Sequence, residues 1–143
     1  MKVQEEEIFT ILTGKISNAI NRTLLRAFTM DGMDITTEQW TVLACLWKQD
    51  KVTQQTLCQL TTKDKPSMTR LIDNLEKRNL VTRVSHESDR RINLIHLTQE
   101  GMILQKKATA IVKKIVDKTL DGIREDEMNI ARNVLKKIMH NLA

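Results

Sequence analysis

Asp64-Lys65-Pro66-Ser67-Met68-Thr69-Arg70-Leu71-Ile72-Asp73-Asn74-Leu75-Glu76-Lys77-Arg78 is followed almost at once by Leu80-Val81-Thr82-Arg83-Val84, His86-Glu87-Ser88-Asp89-Arg90-Arg91 and Ile92-Asn93-Leu94-Ile95-His96-Leu97. Projected at 100° per residue, the first segment gathers Met68, Leu71, Ile72 and Leu75 on one helical face. Pro66, Arg70, Asp73 and Lys77 lie opposite, flanked by Ser67, Thr69 and Asn74. Pro66 suits a first-turn position, where the N–H it lacks would be unpaired anyway. The later segments alternate as two half-buried strands, with Val81 and Arg83, then Asn93 and Ile95, against Leu94 and Leu97. The loop between them carries Arg90-Arg91 beside Asp89.

Upstream, Thr53 is placed to cap a short helix holding Leu57 and Leu60. The whole run from Thr53 to Gly101 therefore reads as helix, turn, helix, two-stranded ribbon and the start of another helix. That is the order of a winged helix-turn-helix. An outer helix face of Ser, Thr, Arg and Asn suits base edges in a major groove, and free N–H groups at its N-terminus suit phosphate. A ribbon tip with adjacent arginines suits a narrow, electronegative minor groove, and Asp89 could pair with one guanidinium and fix its direction. The plainer alternatives are an amphipathic surface helix and a solvated hairpin tip. Asp73 and Glu76, on or near the outer face, weigh against close phosphate contact, and the immediate succession of helix and basic ribbon weighs the other way.

Around this unit the chain reads as mainly helical. It has one proline and four glycines among 143 residues, few turn signals for its length. From about Glu5 to Met30, Ile8, Ile11, Leu12, Ile16, Ala19, Ile20, Leu24 and Ala27 recur at helical spacing. Asp31-Gly32-Met33-Asp34 breaks that helix. A second starts after Thr36 or Thr37, with Glu38 and Gln39 in its first turn, carries Trp40, Leu43, Ala44 and Trp47, and ends at Gln49-Asp50-Lys51. Thr98 caps a long helix with Leu104, Ala108, Ile111, Val112, Ile115 and Val116 on its apolar face. After Asp121-Gly122, a last helix carries Met128, Ala131, Val134, Leu135, Ile138 and Leu142. The pairs Lys106-Lys107 and Lys113-Lys114 read as a solvated helix face.

Composition limits the function. Twenty-three Lys and Arg against 18 Asp and Glu give +5, a modest excess consistent with a polyanionic partner. The length fits one domain, able to bury roughly two thirds of its unfolded surface. Two cysteines, Cys45 and Cys58, form no legible disulfide framework and fit a reducing compartment. No apolar run approaches the roughly 20 residues of a membrane span, and Glu5-Glu6-Glu7 is unlike the positive start of a signal peptide. The expectation is a soluble cytoplasmic protein. His86, His96 and His140 lack metal-ligand spacing, and no phosphate loop or nucleophile motif is present, so neither metal, cofactor nor catalysis is expected. His86 reads as a solvated surface histidine.

Asp73-Asn74-Leu75-Glu76-Lys77-Arg78-Asn79-Leu80-Val81, within the segment from Leu71 to Arg83, resembles the recognition helix and first wing strand of the MarR family of bacterial transcription regulators. Asp89-Arg90-Arg91, followed by Leu97-Thr98-Gln99-Glu100-Gly101, resembles that family's wing signature and the start of its next helix. Thr36-Thr37-Glu38-Gln39-Trp40 matches as well, and the resemblance runs along nearly the whole chain. It implies a mainly α fold with a small two- or three-stranded antiparallel β wing: residues 1–143 as a single domain, with dimerisation helices at 5–30 and 99–143 around a winged helix-turn-helix at about 36–98. It also implies a homodimer, a triangular assembly whose N- and C-terminal helices intertwine and whose winged domains straddle a pseudo-palindromic operator in double-stranded DNA. Ser67, Thr69 and Arg70 would then read the major groove. Arg91, oriented by Asp89, would enter the minor groove with Arg90 close to phosphate, and Lys65 and Asn74 complete the candidate DNA contacts. Asn79 stands where many members carry glycine, and Asn tolerates the left-handed conformation.

Independently of the resemblance, the helices at about 5–30, 99–120 and 124–142 carry more apolar surface than one small winged domain needs. Two-fold protein symmetry would match recognition helices roughly one DNA turn, about 34 Å, apart.

Members of the family commonly respond to small aromatic acids or to cysteine oxidation. With no tyrosine and only Phe9, Phe28, Trp40 and Trp47 as aromatics, an aromatic-lined effector cavity is disfavoured, and one lined by Met and Leu stays open. The N-terminal helix has no cysteine; Cys45 reads as core packing and Cys58 as a partly exposed helix residue without special chemistry. The leading expectation is a ligand-released repressor. A winged-helix module for protein contact and a small-molecule-binding helical dimer are the alternatives.

Overall fold

Four N-caps, at Thr36, Thr53, Asp64 and Thr98, set where the helices between residues 36 and 119 begin. In the computed structural model, which describes residues 11–143, helix α1 spans Thr13–Met30 and α2 spans Thr37–Lys48. The start of the first expected helix, including Glu5, Ile8 and Phe9, lies outside the described residues. The helix α1 stops where Gly32 takes φ 73°, a left-handed value that glycine adopts without a Cβ penalty. Thr36 opens α2 with a reciprocal capping box: its side chain accepts the Gln39 N–H at 3.1 Å, and Gln39 accepts the Thr36 N–H at 3.0 Å.

The two-residue strand β1, Val52–Thr53, leads into α3, Gln54–Thr61, capped by the Thr53 hydroxyl on the Thr56 N–H at 3.1 Å. Helix α4 spans Lys65–Lys77, with the Asp64 carboxylate accepting the Ser67 N–H at 2.7 Å and proline in its first turn. Strands β2, Val81–Ser85, and β3, Asn93–Leu97, form the ribbon, and β1 adds a third strand in the antiparallel order β1-β3-β2. The register sets Val81 opposite Leu97 and Arg83 opposite Ile95. Helix α5 spans Gln99–Thr119 and α6 spans Glu125–Leu142.

The chain divides into two compact units, residues 1–112 and residues 113–143. In the first, Phe28, Val42, Leu43, Leu46, Leu57, Met68, Ile72, Leu75, Val81 and Ile95 are fully buried. The expected inner face of α4 is thus its buried face: Met68, Leu71, Ile72 and Leu75 all point into the core. Helix α3 holds Leu57 and Leu60 as expected; Leu57 is buried and Leu60 is 62% exposed, because the inward face runs through Leu57 and the half-buried Thr61 four residues on. In the second unit no residue of α6 is buried, and Ile130, Val134, Leu135, Met139 and Leu142 are exposed apolar side chains.

The junction from α4 through the wing to α5 is tightly specified. Asn79 takes φ 58°, the left-handed value anticipated for it, and its side chain pairs with Glu100. The Thr98 hydroxyl donates to the Asn79 carbonyl at 2.6 Å and accepts the Gly101 N–H at 3.1 Å, so it caps α5 while clasping the α4–β2 turn. A Cβ at Gly101 would stand 2.2 Å from the Leu80 carbonyl oxygen, so only glycine lets helix and turn approach this closely. The Gly101 carbonyl in turn accepts the Trp47 indole N–H at 2.9 Å. Lys106, Lys107, Lys113 and Lys114 are all exposed, as a solvated helix face requires; Lys107 also donates to the Asp31 carbonyl at 2.5 Å, and Lys113 pairs with Asp117 at 2.8 Å.

Candidate nucleic-acid interface

The exposed side of α4 and the hairpin tip face one trough of about 870 Å³, whose lining includes Gln54, Cys58, Lys65, Thr69, Asp73, Arg83, Arg91 and Ile92. Helix α4 lies along it because its apolar stripe is buried behind. That leaves Lys65, Arg70 and Asn74 exposed on the outer face, with Ser67 and Thr69 half-buried beside them. Neither Lys65, Arg70 nor Asn74 spends its side chain on a protein partner among the described residues, so their hydrogen-bonding groups are available to an outside ligand.

The hairpin tip is closed by two backbone bonds, His86 N–H to the Ile92 carbonyl at 2.9 Å and Ile92 N–H to the Asp89 carbonyl at 3.1 Å. Within it Asp89 accepts three hydrogen bonds from Arg91: the backbone N–H at 3.0 Å, Nε at 3.2 Å and Nη2 at 3.3 Å. The Arg91 side chain remains 90% exposed. Asp89 therefore orients Arg91 as its position suggested, holding the guanidinium by one edge and leaving the other edge outward. These same bonds, the guanidinium first, hold the Asp89 carboxyl below the usual carboxylate range. Arg90 is exposed next to it. His86 is half-buried rather than fully solvated, its Nδ1 accepting the Ser88 N–H at 3.2 Å.

Asp73 and Glu76 are the carboxylates that weighed against phosphate contact. Both are taken up by Arg83 on β2, which pairs with Asp73 at 2.7 Å and with Glu76 at 3.1 Å. The Arg83 backbone N–H also donates to Glu76 at 3.0 Å, and Nη2 reaches the Thr69 carbonyl at 3.4 Å. Arg83 thus ties the wing to the C-terminal half of α4 and balances the negative charge facing the trough. Sequence reasoning placed Arg83 on a strand without a role. The available signal was its position two residues from Val81, on the core-facing side of β2, opposite a helix with acids at i and i+3.

A second residue was missed entirely. Gln54, at the start of α3, donates from Nε2 to the Thr69 hydroxyl oxygen at 2.7 Å. Nothing local in the sequence signals that contact, since the two residues meet only when α3 packs on α4. Of the cysteines, Cys45 is half-buried, and burial raises its thiol above the ordinary value. Cys58 is half-buried in the trough wall. Among the described residues no group of His, Cys, Asp and Glu could hold a metal ion, and no helix is long and apolar enough to cross a membrane.

The chain is similar to known proteins along most of its length. The MarR family model matches residues 35–93, the stretch from the start of α2 into the ribbon. The transcriptional regulator PA3341 is 32% identical over 94% of this chain and 97% of its own, with a TM-score of 0.81. MepR of S. aureus, solved as a DNA complex, is 25% identical over 93% of this chain and 97% of its own, with a TM-score of 0.85. CouR from Rhodococcus jostii RHA1, solved bound to p-coumaroyl-CoA, is 26% identical over 89% of this chain and 88% of its own, with a TM-score of 0.77.

Proposed function

The chain belongs to the MarR family, and we propose that it works as a homodimeric, ligand-responsive, sequence-specific transcriptional repressor inside a bacterial cell. The observation that carries this reading is the trough, lined by the unpaired Lys65 of α4 and by the exposed Arg91 of the hairpin tip, with Arg83 offsetting Asp73 and Glu76; Arg70 and Arg90 are exposed on the same two elements. In this reading α4 enters the major groove. Ser67, Thr69, Arg70 and Asn74 face base edges there, and Lys65 at the helix N-terminus meets phosphate. The wing follows the backbone, with Arg91, held by Asp89, in the adjacent minor groove and Arg90 against phosphate. The DNA complex of MepR supports the mode of binding.

Dimerisation through the N- and C-terminal helices is supported by what they leave uncovered. Ile11, Leu12, Ile16 and Leu25 at one end and Ile130, Val134, Leu135, Met139 and Leu142 at the other are exposed, and such surface is covered by association when it is contiguous. Ligand response is supported by the acyl-CoA-bound structure of CouR; the effector of this chain is a small molecule of unassigned chemistry.

The test is retention of duplex DNA from the chain's own upstream intergenic region, titrated across a salt series against scrambled competitor. Specific retention that weakens steeply with salt is expected, because neutralising phosphates releases counterions. Binding indifferent to sequence and salt would overturn the reading. On the operator, Arg91→Ala should weaken binding roughly ten- to a hundredfold, and unchanged affinity would remove Arg91 from the minor groove.

A further inference from the structure

Threonines inside a helix usually turn their hydroxyl back onto the carbonyl four residues earlier. Thr23, Thr29, Thr41, Thr61 and Thr119 all do so, at 2.7–2.9 Å. Thr69, in the middle of α4, does not; nor does the exposed Thr109 of α5, but Thr69 alone of the two is held by another side chain. Its oxygen instead accepts the Gln54 amide at 2.7 Å. Its proton has no acceptor on the protein among the described residues, and both side chains line the trough. Arg83 steadies the same point from below by donating to the Thr69 carbonyl at 3.4 Å.

We propose that Gln54 is a specificity-determining residue: by occupying the acceptor side of the Thr69 hydroxyl, it presents that hydroxyl to the groove as a hydrogen-bond donor. The inference rests on the DNA-reading role of α4 given above. A hydroxyl can serve as donor or acceptor, which makes threonine a weak discriminator on its own. Gln54 holds one of the oxygen's two lone pairs, and the proton, with no acceptor on the protein among the described residues, is left to turn outward. It selects base edges that accept, guanine O6 and N7, adenine N7 or thymine O4, over the amino groups of cytosine and adenine. Gln54 acts through Thr69 and touches no base in this scheme, so it is a positioning residue.

The experiment is selection of binding sites from randomised duplexes by the full-length protein and by Gln54→Met, Thr69→Val, Thr69→Ser and Gln54→Glu, with the salt dependence and thermal midpoint of each measured in parallel. The wild type should select a consensus. Gln54→Met and Thr69→Val should each lose preference at the same base pair and its symmetry mate, by about two- to tenfold, as expected for one hydrogen bond. The other positions and the salt slope should stay unchanged. Thr69→Ser, which keeps the hydroxyl, should keep the preference. Gln54→Glu offers a carboxylate that takes the Thr69 proton, so the preference at that pair should turn toward bases that donate. Relaxation at different pairs, or full retention of preference in Gln54→Met, would overturn the proposal. Failure of the wild type to select any consensus would instead overturn the reading of the trough as a DNA interface.

Discussion

Asn79 shows how much one residue can decide. It ends α4 and turns the chain into the wing, at φ 58°, a conformation that costs most L-residues roughly 1–2 kcal/mol. Its side chain offsets this by pairing with Glu100, and its carbonyl accepts the Thr98 hydroxyl. Asn79→Ala should therefore lower unfolding stability by about 1–2 kcal/mol. Asn79→Gly removes the backbone penalty and loses only the Glu100 pair, so it should retain most of the stability. Urea titration of both variants checks this, and equal losses would show that the side-chain contact, not the backbone, governs the turn.

At the scale of elements, the wing is fastened at its two ends by different chemistry. Near α4 the fastening is ionic, through Arg83 to Asp73 and Glu76. Near α5 it is steric, through the absence of a Cβ at Gly101 against the Leu80 carbonyl. Gly101→Ala must push helix and turn apart, at a cost on the scale of overpacking, about 1–3 kcal/mol, and thermal unfolding should register it. A variant as stable as wild type would mean that the junction yields without strain.

The inner face of α4 was legible in sequence because Met68, Leu71, Ile72 and Leu75 obey a periodicity internal to one helix. The Thr36, Thr53 and Thr98 caps were legible for the same reason, each being settled within three residues. Asp89 and Arg91 were also readable, since their contact spans two positions. Arg83 and Gln54 were not, because their partners lie on other elements: Arg83 on α4 across the turn, Gln54 on α4 fifteen positions away.

For the molecule as a whole, acid is the informative variable. Asp64, held by the Ser67 N–H, Asp89, held by Arg91, and Asp126, held by Arg124, all ionise below the usual carboxylate range. Each takes up a proton less readily folded than unfolded. Their contribution is complete above pH ~4, the unfolded carboxylate value, and is lost as pH falls through the lower folded values. The thermal midpoint should hold from pH 7 to about 5 and decline below about 4, and Asp64→Asn should flatten part of that decline. An unchanged profile in the variant would show that its cap is not coupled to folding.

The indole bond of Trp47 has an optical consequence. The chain contains two tryptophans and no tyrosine, so its near-ultraviolet emission comes from Trp40 and Trp47. Trp40 sits beside Phe28, with ring centroids 6.4 Å apart, and reports on the packing of α1 against α2. Trp47 donates to the first turn of α5, just after the wing. Any movement of that turn, whether from an effector or from DNA, must stretch or break this bond and change the polarity around the indole. The protein thus carries its own fluorophore at the junction between wing and long helix, and a Trp40→Phe background would isolate its signal without an added label.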